Sequence, residues 1–350
     1  MDPIDLQTAC GPPYDFQHLM ARRVENLILA SSVYDTFILE EDGRLNELLL
    51  SEFLDLNLHH TTGVRHVTSG AEALALASCD NRFNLIVTAV HLADMDAADL
   101  ARKAREQGLD VPVVLLAFDG GELAEFMARR DTSDLERIFL WQGDPRILLA
   151  ITKYMEDKLN VAYDAGTAGV QVILLIEDNI RYYSSFLPLI YTEIINHSQR
   201  LISEGVNVPH KILRMRARPK ILLCTSFEEA WDYFSRYREE VLGVISDLEF
   251  PLAGELDPEA GVEFARRVRA AYLDIPVLLQ SSRAESEAAA RAVGADFLLK
   301  GSPTLLQDLR RFIVDNFFFG DFVFRLPDGT PVGRARDLKS FLHLLRTVPA

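Results

Sequence analysis

The sequence predicts an α/β protein with two parallel β-sheets, one in each half of the chain. Short apolar runs that are typical of buried strands alternate with segments of helical periodicity, as parallel βαβ units require. This alternation occurs twice, and two local matches align the halves. Phe139–Pro145 matches Phe297–Pro303, and Asp110–Val113 matches Asp274–Val277. We therefore expect an internal duplication of one domain.

Residues 1–23 are predicted to form a lead-in arm, and the first domain follows it. Its predicted strands are Val24–Ala30, Val64–Val67, Leu85–Val90, Val111–Ala117 and Arg137–Trp141. Helical patterns separate these strands, for example at Asp96–Gln107. Small residues from Asp164 to Gly169 indicate a connection, so the two domains are predicted at 24–165 and 166–319.

The second copy carries acidic residues where its strands end. The run Val241–Ser246 stops at Asp247, before a loop that contains Pro251, and the run Val170–Ile176 stops at Glu177-Asp178. Carboxyl ends of parallel strands meet at one edge of a sheet, so these three carboxylates are expected to converge. Because such a cluster repels itself, we expect a hard divalent cation, Mg2+, to neutralise it.

The remaining strands of this copy contribute a hydroxyl group and an amine at the same edge. Lys220–Cys224 is predicted as the second strand, Ile275–Gln280 precedes Ser281, and Ala295–Leu299 precedes Lys300. Together with the acidic residues, this set resembles the receiver domain of two-component response regulators, and Pro251 fits the pattern too. The resemblance implies a five-stranded parallel sheet of flavodoxin-like (CheY-like) strand order, with helices on both faces.

The resemblance also assigns a role to each residue. It implies that Asp247 accepts a phosphoryl group from a phosphohistidine of a sensor histidine kinase or phosphotransfer protein, and that Lys300 and Ser281 contact that group. Ser281 and Phe297 would form the switch pair. The implied Mg2+ ligands are Glu177, Asp178, Asp247 and the backbone carbonyl of Glu249. A receiver catalyses only its own phosphorylation and dephosphorylation, so no other enzyme activity is expected.

Three residues depart from the family pattern, and none removes a required chemical group. Glu177 stands in place of one of the usual Asp pair, Ser281 in place of the commoner Thr, and Gly301 in place of the Pro that often follows the Lys. The loop after Lys300 is therefore the part whose geometry the resemblance predicts least well.

Aligned with the second copy, the first copy lacks every reactive group. The equivalent positions are predicted to be Ser31, Ser32, Ala89, Ala117 and Gln142. Because Ala89 cannot be phosphorylated, we expect the first domain to be a pseudoreceiver that serves as an interaction domain.

Composition narrows the possible partners. The chain of 350 residues has a net charge of −16, which argues against a nucleic-acid partner. The one dense basic run comprises Arg214, Arg216, Arg218 and Lys220, and the preferred interpretation is a solvated loop. The spacing of the three cysteines in the chain is neither that of a zinc site nor that of a disulfide framework. With an acidic amino terminus and no apolar run of membrane-spanning length, a cytoplasmic location and no membrane partner are expected.

A long helical stretch at Tyr182–Gly205 carries apolar residues at helical spacing, so one face needs a partner. Packing of one repeat on the other and homodimerisation both remain open. After Phe319, a hairpin at Phe322–Val332 and a helix at Asp337–Arg346 are predicted. Residues 320–350 are expected to lead to an output region that is missing or truncated here. A weaker resemblance, to the amino-terminal region of phosphoenolpyruvate synthase-like (PEP/pyruvate-binding) bacterial proteins, points the same way.

Two other functions compete with the receiver. A non-catalytic scaffold or docking module for an appended output domain would need neither the acidic residues nor the Lys. A metal-dependent phosphatase would need a second catalytic Asp two residues after the nucleophile, and this position is Glu249.

Overall fold

The computed structural model describes residues 19–33, 35, 62–167, 169–203, 218–272, 275–317, 322–325 and 331–335. Within these ranges the chain folds into two five-stranded sheets, as predicted. In the first sheet, alternate residues of each strand belong to separate apolar clusters, because both faces of the sheet are covered. No helix in these ranges is both long and apolar enough to cross a membrane.

The first domain contains a parallel sheet and four described helices. Its strands are β1 (Asn26–Ala30), β2 (Gly63–Val67), β3 (Phe83–Thr88), β4 (Val113–Ala117) and β5 (Arg137–Leu140), in the order β2-β1-β3-β4-β5. Its helices are α1 (Gly70–Cys79), α2 (Ala97–Glu106), α3 (Gly120–Arg129) and α4 (Arg146–Asp164).

The second domain repeats this strand order. Its chain runs through β6 (Val172–Ile176), α5 (Ile180–Ser203), β7 (Lys220–Cys224), α6 (Phe227–Arg236), β8 (Val241–Asp247), β9 (Phe250–Leu252), β10 (Glu255–Asp257), α7 (Ala260–Ala271), β11 (Val277–Ser281), α8 (Glu287–Ala292), β12 (Asp296–Leu299) and α9 (Leu305–Asn316). The sheet order is β12-β11-β8-β6-β7, so the central strand is again the third one in sequence.

Local sequence explains where several helices begin. Ser69, Asp96, Asp119 and Ser226 each precede a helix and accept a hydrogen bond from the backbone N–H three residues later. These caps satisfy amides that have no partner inside the helix. In three of the four helices the residue at that third position is Glu, which also suits the positive end of the helix dipole.

One insertion distinguishes the second domain, and the sequence prediction missed it. Strands β9 and β10 form an antiparallel hairpin where a simple loop was expected. The backbone bond from Gly261 to Leu248 matches the bond from Ala97 to Val90. The separations are 261 − 248 = 13 and 97 − 90 = 7, so the second domain has six extra residues here. The positive φ angles of Ala253 and Gly254 close the hairpin.

The two domains pack against each other through one helix of each domain, which covers the edge strand of the other domain's sheet. Helix α4 of the first domain covers β7, the edge strand of the second sheet, and α5 of the second domain covers β5, the edge strand of the first. One apolar cluster includes Phe139, Tyr154, Tyr191 and Ile221, which come from both domains. Packing of one repeat on the other therefore covers the described apolar face of α5.

A buried ionic network holds α4 against β7. Asp157 accepts hydrogen bonds from the backbone N–H of Ile221 at 2.9 Å and from Arg218 at 3.0 Å. Lys220 lies 2.7 Å from Asp164, and both side chains are fully buried. The interpretation of this basic run as a solvated loop is therefore wrong for Arg218 and Lys220, because α4 supplies their counter-charges.

The end of the lead-in arm also contacts α4. The backbone N–H groups of Met20 and Arg22 donate to Asp164 at 3.1 Å and to Asn160 at 2.9 Å. At the other end of the chain, β13 (Phe322–Arg325) and β14 (Pro331–Ala335) form the predicted antiparallel hairpin. Its turn and the helix predicted at 337–346 lie outside the described residues.

Replacing Asp157 by Ala should destabilise both domains together. The variant leaves Arg218 buried without its counter-charge, a change that costs about 3–5 kcal/mol. Urea unfolding followed at Trp141 and Trp231, one in each domain, measures the free energy of unfolding. Asp232→Ala, which removes an exposed ion pair with Arg236, is the control and should cost about 0–1 kcal/mol. An unfolding midpoint of Asp157→Ala equal to that of the control would contradict the prediction.

Candidate functional site

Three carboxylates converge at the carboxyl edge of the second sheet, as the sequence predicts. Strands β6 and β8 are parallel neighbours in which Ile176 pairs with Ser246, so Glu177 and Asp247 follow side by side. One carboxylate oxygen each from Glu177, Asp178 and Asp247 lies within 4.8 Å of the other two. Glu177 and Asp247 are buried, whereas Asp178 is half-buried. We refer to these three residues as the acidic cluster.

Lys300 bridges two members of the acidic cluster. Its ammonium nitrogen lies 2.6 Å from Asp247 Oδ2 and 2.7 Å from Glu177 Oε2. The same nitrogen lies 4.2 Å from the centre of the Tyr182 ring, a cation–π contact. A hydrogen bond fixes the backbone of Lys300 beside β11, because its N–H donates to Ser281 C=O at 2.8 Å.

The carboxylate oxygens that do not contact Lys300 accept hydrogen bonds from backbone amides. Asp247 Oδ1 accepts from Leu248 N–H at 2.7 Å, and Glu177 Oε1 accepts from Asn179 N–H at 3.2 Å. Glu177 Oε2 is buried, and among the described groups its contact with Lys300 is ionic rather than a well-directed hydrogen bond. Displacement of Lys300 would leave this oxygen able to bind another cation.

Burial dominates the electrostatics of the cluster. Desolvation raises the pKa of Glu177 from its ordinary 4.5 to about 8; Lys300 opposes this shift, and the neighbouring Asp247 charge adds to it. Desolvation, followed by Asp247, also raises the pKa of Asp178. For Lys300, burial lowers the pKa, but the charges of Glu177 and Asp247 outweigh burial and the net shift is upward. The cluster therefore carries unfavourable negative charge that one ammonium only partly offsets.

The other predicted site residues surround the cluster. Ser281 is buried one position beyond Gln280, the residue that pairs with Asp247, and its hydroxyl accepts from Arg283 N–H at 3.1 Å. The side chain of Glu249 forms an exposed ion pair with Arg283 at 3.0 Å, while its predicted role as a backbone ligand stays a prediction. Phe297 is half-buried on β12 and packs against the core, and its switch role is likewise a prediction.

Strand register in the first domain is consistent with four of the five predicted equivalences and corrects the fifth. Ala30 pairs with Thr88 as Ile176 pairs with Ser246, so Ser31, Ser32 and Ala89 take the places of the three acids. The pairing of β3 with β4 likewise puts Ala117 at the Ser281 position.

The residue at the Lys300 position is Trp141, not Gln142. Leu140 pairs with Ala117 as Leu299 pairs with Ser281, and the N–H of Trp141 bonds to Ala117 C=O as that of Lys300 bonds to Ser281 C=O. The sequence match around Phe139 and Phe297 shifted the alignment by one residue, because it places Leu140 opposite Leu298, whereas the strand register places it opposite Leu299.

Gly261 sets the backbone beside the acidic cluster, although the sequence analysis did not select it. A Cβ at this position would lie 2.2 Å from the carbonyl oxygen of Asp247 and 2.9 Å from Leu248 Cα. No side chain therefore fits between the start of α7 and the residue that carries the carboxylate. The first domain, in which Ala89 replaces Asp247, has Ala97 at the equivalent position.

The donor chemistry of the cluster fits Mg2+. Magnesium prefers oxygen ligands and binds through a few carboxylates. Glu177, Asp178 and Asp247 supply such oxygens within the distances given above.

Comparison with known proteins finds structural likeness without sequence relatives. No protein-family model matches the chain, and no curated protein matches it. A probable two-component system response regulator/GGDEF domain protein is 12% identical over 83% of this chain and 97% of its own, with a TM-score of 0.32. The receiver domain of an HD domain-containing protein from Pseudomonas fluorescens Pf-5 is 19% identical over 41% of this chain and 97% of its own, with a TM-score of 0.27.

The matched structures also include an RCK domain from the GsuK channel, 10% identical over 87% of this chain and 80% of its own, with a TM-score of 0.25. The chain has a flavodoxin-like strand order. This conclusion rests on the sheets themselves, because TM-scores this low carry no argument about function. The resemblance to phosphoenolpyruvate synthase-like proteins stays a prediction.

Without divalent cations, stability should fall as the pH rises from about 5 to about 8. The pKa of Glu177 is higher in the folded protein than in the unfolded chain, so folding is favoured by the protonated form. The expected loss is on the order of 1–4 kcal/mol. Urea unfolding in EDTA at both pH values should show a shallower loss for Glu177→Gln. Parallel pH dependences of the two proteins would contradict the raised pKa.

Gly261→Ala should weaken Mg2+ binding and destabilise the second domain. The added methyl group displaces the Asp247 backbone, and overpacking of this kind costs about 1–3 kcal/mol. Calorimetric titration with Mg2+ and urea unfolding measure the two effects. Gly120→Ala is the matched control, because a Cβ there meets nothing within 4 Å. The prediction fails if the two variants behave alike.

Proposed function

We propose that the second domain is a phosphorylatable receiver in a phosphorelay and that Asp247 is its phosphoacceptor. The observation that carries the proposal is the convergence of three carboxylates, Lys300 and Ser281 at one sheet edge, with Asp247 central. The phosphoryl donor is a phosphohistidine of a sensor histidine kinase or phosphotransfer protein. The first domain lacks this chemistry and acts as a non-phosphorylatable interaction domain.

The chemistry is a transfer between two nucleophiles. A carboxylate oxygen of Asp247 attacks phosphorus, the P–N bond to the donor histidine breaks, and the imidazole leaves with the electron pair. The product is an acyl phosphate on Asp247, and hydrolysis returns the carboxylate and inorganic phosphate. The protein contributes mainly position and charge, as in other phosphoryl transfers.

Each residue has a defined task in this reaction. Leu248 N–H holds Asp247 Oδ1 at 2.7 Å, which leaves Oδ2 facing Lys300. Lys300 offsets negative charge on the phosphoryl oxygens, and Ser281 is placed to donate a hydrogen bond to one of them. Glu177, Asp178 and Asp247 would hold Mg2+, which supplies further charge neutralisation when bound.

A scaffold or docking module remains the second candidate. The first domain favours this alternative, because it shows that the fold persists when every reactive group is replaced by Ser, Ala or Trp. The acidic cluster argues against it for the second domain. Burying Glu177 beside Asp247 raises the free energy of the folded protein, and a scaffold gains nothing from that cost.

Incubation with acetyl phosphate and Mg2+, followed by intact-mass spectrometry, tests the proposal. We expect one phosphate adduct per chain in the wild type and none in Asp247→Asn, which keeps the shape of the side chain but removes the nucleophile. Asp232→Asn, on the exposed face of α6, is the matched control and should label normally. Labelling of Asp247→Asn would overturn the assignment of the phosphoacceptor. If the wild type neither labels nor binds Mg2+, the scaffold is the better description.

A further inference from the structure

The start of α5 contacts both the acidic cluster and Lys300. Asn179, which precedes the helix, donates its N–H to Glu177 Oε1 at 3.2 Å. Tyr182 places its ring 4.2 Å from the ammonium nitrogen of Lys300 and stacks on Phe186 with 5.9 Å between ring centres. A shift of the first turn of α5 would therefore change the environment of both Glu177 and Lys300.

The first domain holds the same turn. Gln142 Nε2 donates to Arg181 C=O at 2.7 Å and to Ser185 Oγ at 2.8 Å. Leu140 N–H donates to Ser184 Oγ at 3.0 Å, and the hydroxyl of Tyr183 donates to a carbonyl of β5. The residues on either side of Tyr182 are thus bonded to the first domain, while Tyr182 itself faces Lys300.

Lys300 and a divalent cation compete for the same oxygens. The ammonium group contacts Asp247 Oδ2 and Glu177 Oε2, which belong to two of the three candidate ligands. Two positive charges held at the same buried carboxylates repel each other. Cation binding therefore weakens the contacts of Lys300 with the cluster and with Tyr182, which defines two states of the site.

We propose that the first domain regulates the acidic cluster by holding α5 where Tyr182 covers Lys300. In this closed state, Lys300 occupies the cluster and cation affinity is low. Release of the turn favours the cation-loaded state, and by linkage, cation binding loosens the contact with the first domain. Gln142 is the positioning residue of this coupling. The inference rests on the proposed cation site but does not require phosphorylation.

Calorimetric titration with Mg2+ tests the direction of the coupling. Gln142→Ala should raise Mg2+ affinity about fivefold or more, the lower end of typical coupling factors. Tyr182→Leu should act in the same direction, because it removes the ring that holds the ammonium group. Tyr182→Phe keeps the ring and should match the wild type. Gln107→Ala, an exposed position in the same domain as Gln142, is the control and should also match it.

Fluorescence of Trp141 reports on the coupling from the first domain. Trp141 precedes Gln142 and is one of two tryptophans, so Trp231→Phe leaves it as the sole tryptophan. Its emission should change saturably as Mg2+ is added, with the midpoint seen by calorimetry. Unchanged Mg2+ affinity in Gln142→Ala, or Mg2+ binding with constant emission, would overturn the inference and leave the proposed function standing.

If the wild type binds no Mg2+, the proposed cation site fails, and Lys300→Met then decides the coupling. Removal of the ammonium group should alter Trp141 emission through Tyr182 and α5 even without a cation. Constant emission in this variant would overturn the coupling as well.

Discussion

Each domain supplies a helix that covers the edge strand of the other domain's sheet, and the geometry of the site depends on this mutual packing. A sheet edge presents unpaired N–H and C=O groups that must be covered or hydrated. Asp157 on α4 accepts from Ile221 N–H on the edge of the second sheet, and Ser184 on α5 accepts from Leu140 N–H on the edge of the first. The two sheets therefore share one core, and α5, which begins at the acidic cluster, lies between them.

The buried ion pairs of α4 contribute more to the arrangement of the domains than to their stability. Replacing a buried ion pair by apolar residues is often neutral or stabilising, whereas removing one partner is costly. Asp157 and Asp164 have their positive partners, Arg218 and Lys220, only when α4 lies along β7. Other ways of docking the two sheets would leave these charges buried and unpaired, so the network selects this one.

The sequence predicts the site better than it predicts the domain interface, and the reason is physical. In a parallel sheet, the residues that follow the strands must meet at one edge, so Glu177, Asp247 and Lys300 could be brought together without knowledge of any contact. The burial of Lys220 depends on Asp164, which lies on another domain and has no signature in the local sequence. The sequence places Tyr182 at the start of a helical stretch but does not predict its contact with Lys300, because that contact depends on rotation about the axis of α5.

Two further differences arose where backbone pairing, rather than residue type, decides the geometry. The similar residues around Phe139 and Phe297 suggested an alignment in which Gln142 replaces Lys300, but backbone pairing puts Trp141 there. Pro251 suggests a loop, yet the chain forms a hairpin, because a two-stranded pair needs only a few residues and a turn with positive φ angles.

The alignment of Trp141 with Lys300 changes the interpretation of how the two domains diverged. With Trp141 at the Lys300 position, the first domain has replaced a buried cation by an aromatic side chain that packs against Phe118, with 6.2 Å between ring centres. Gln142, one residue further on, then lies outside the former site and bonds to α5. Loss of the charged groups removes the desolvation cost that the second domain bears at Glu177. The carboxyl ends of the strands, which carry the acidic cluster in the second domain, thus carry a contact with α5 in the first domain.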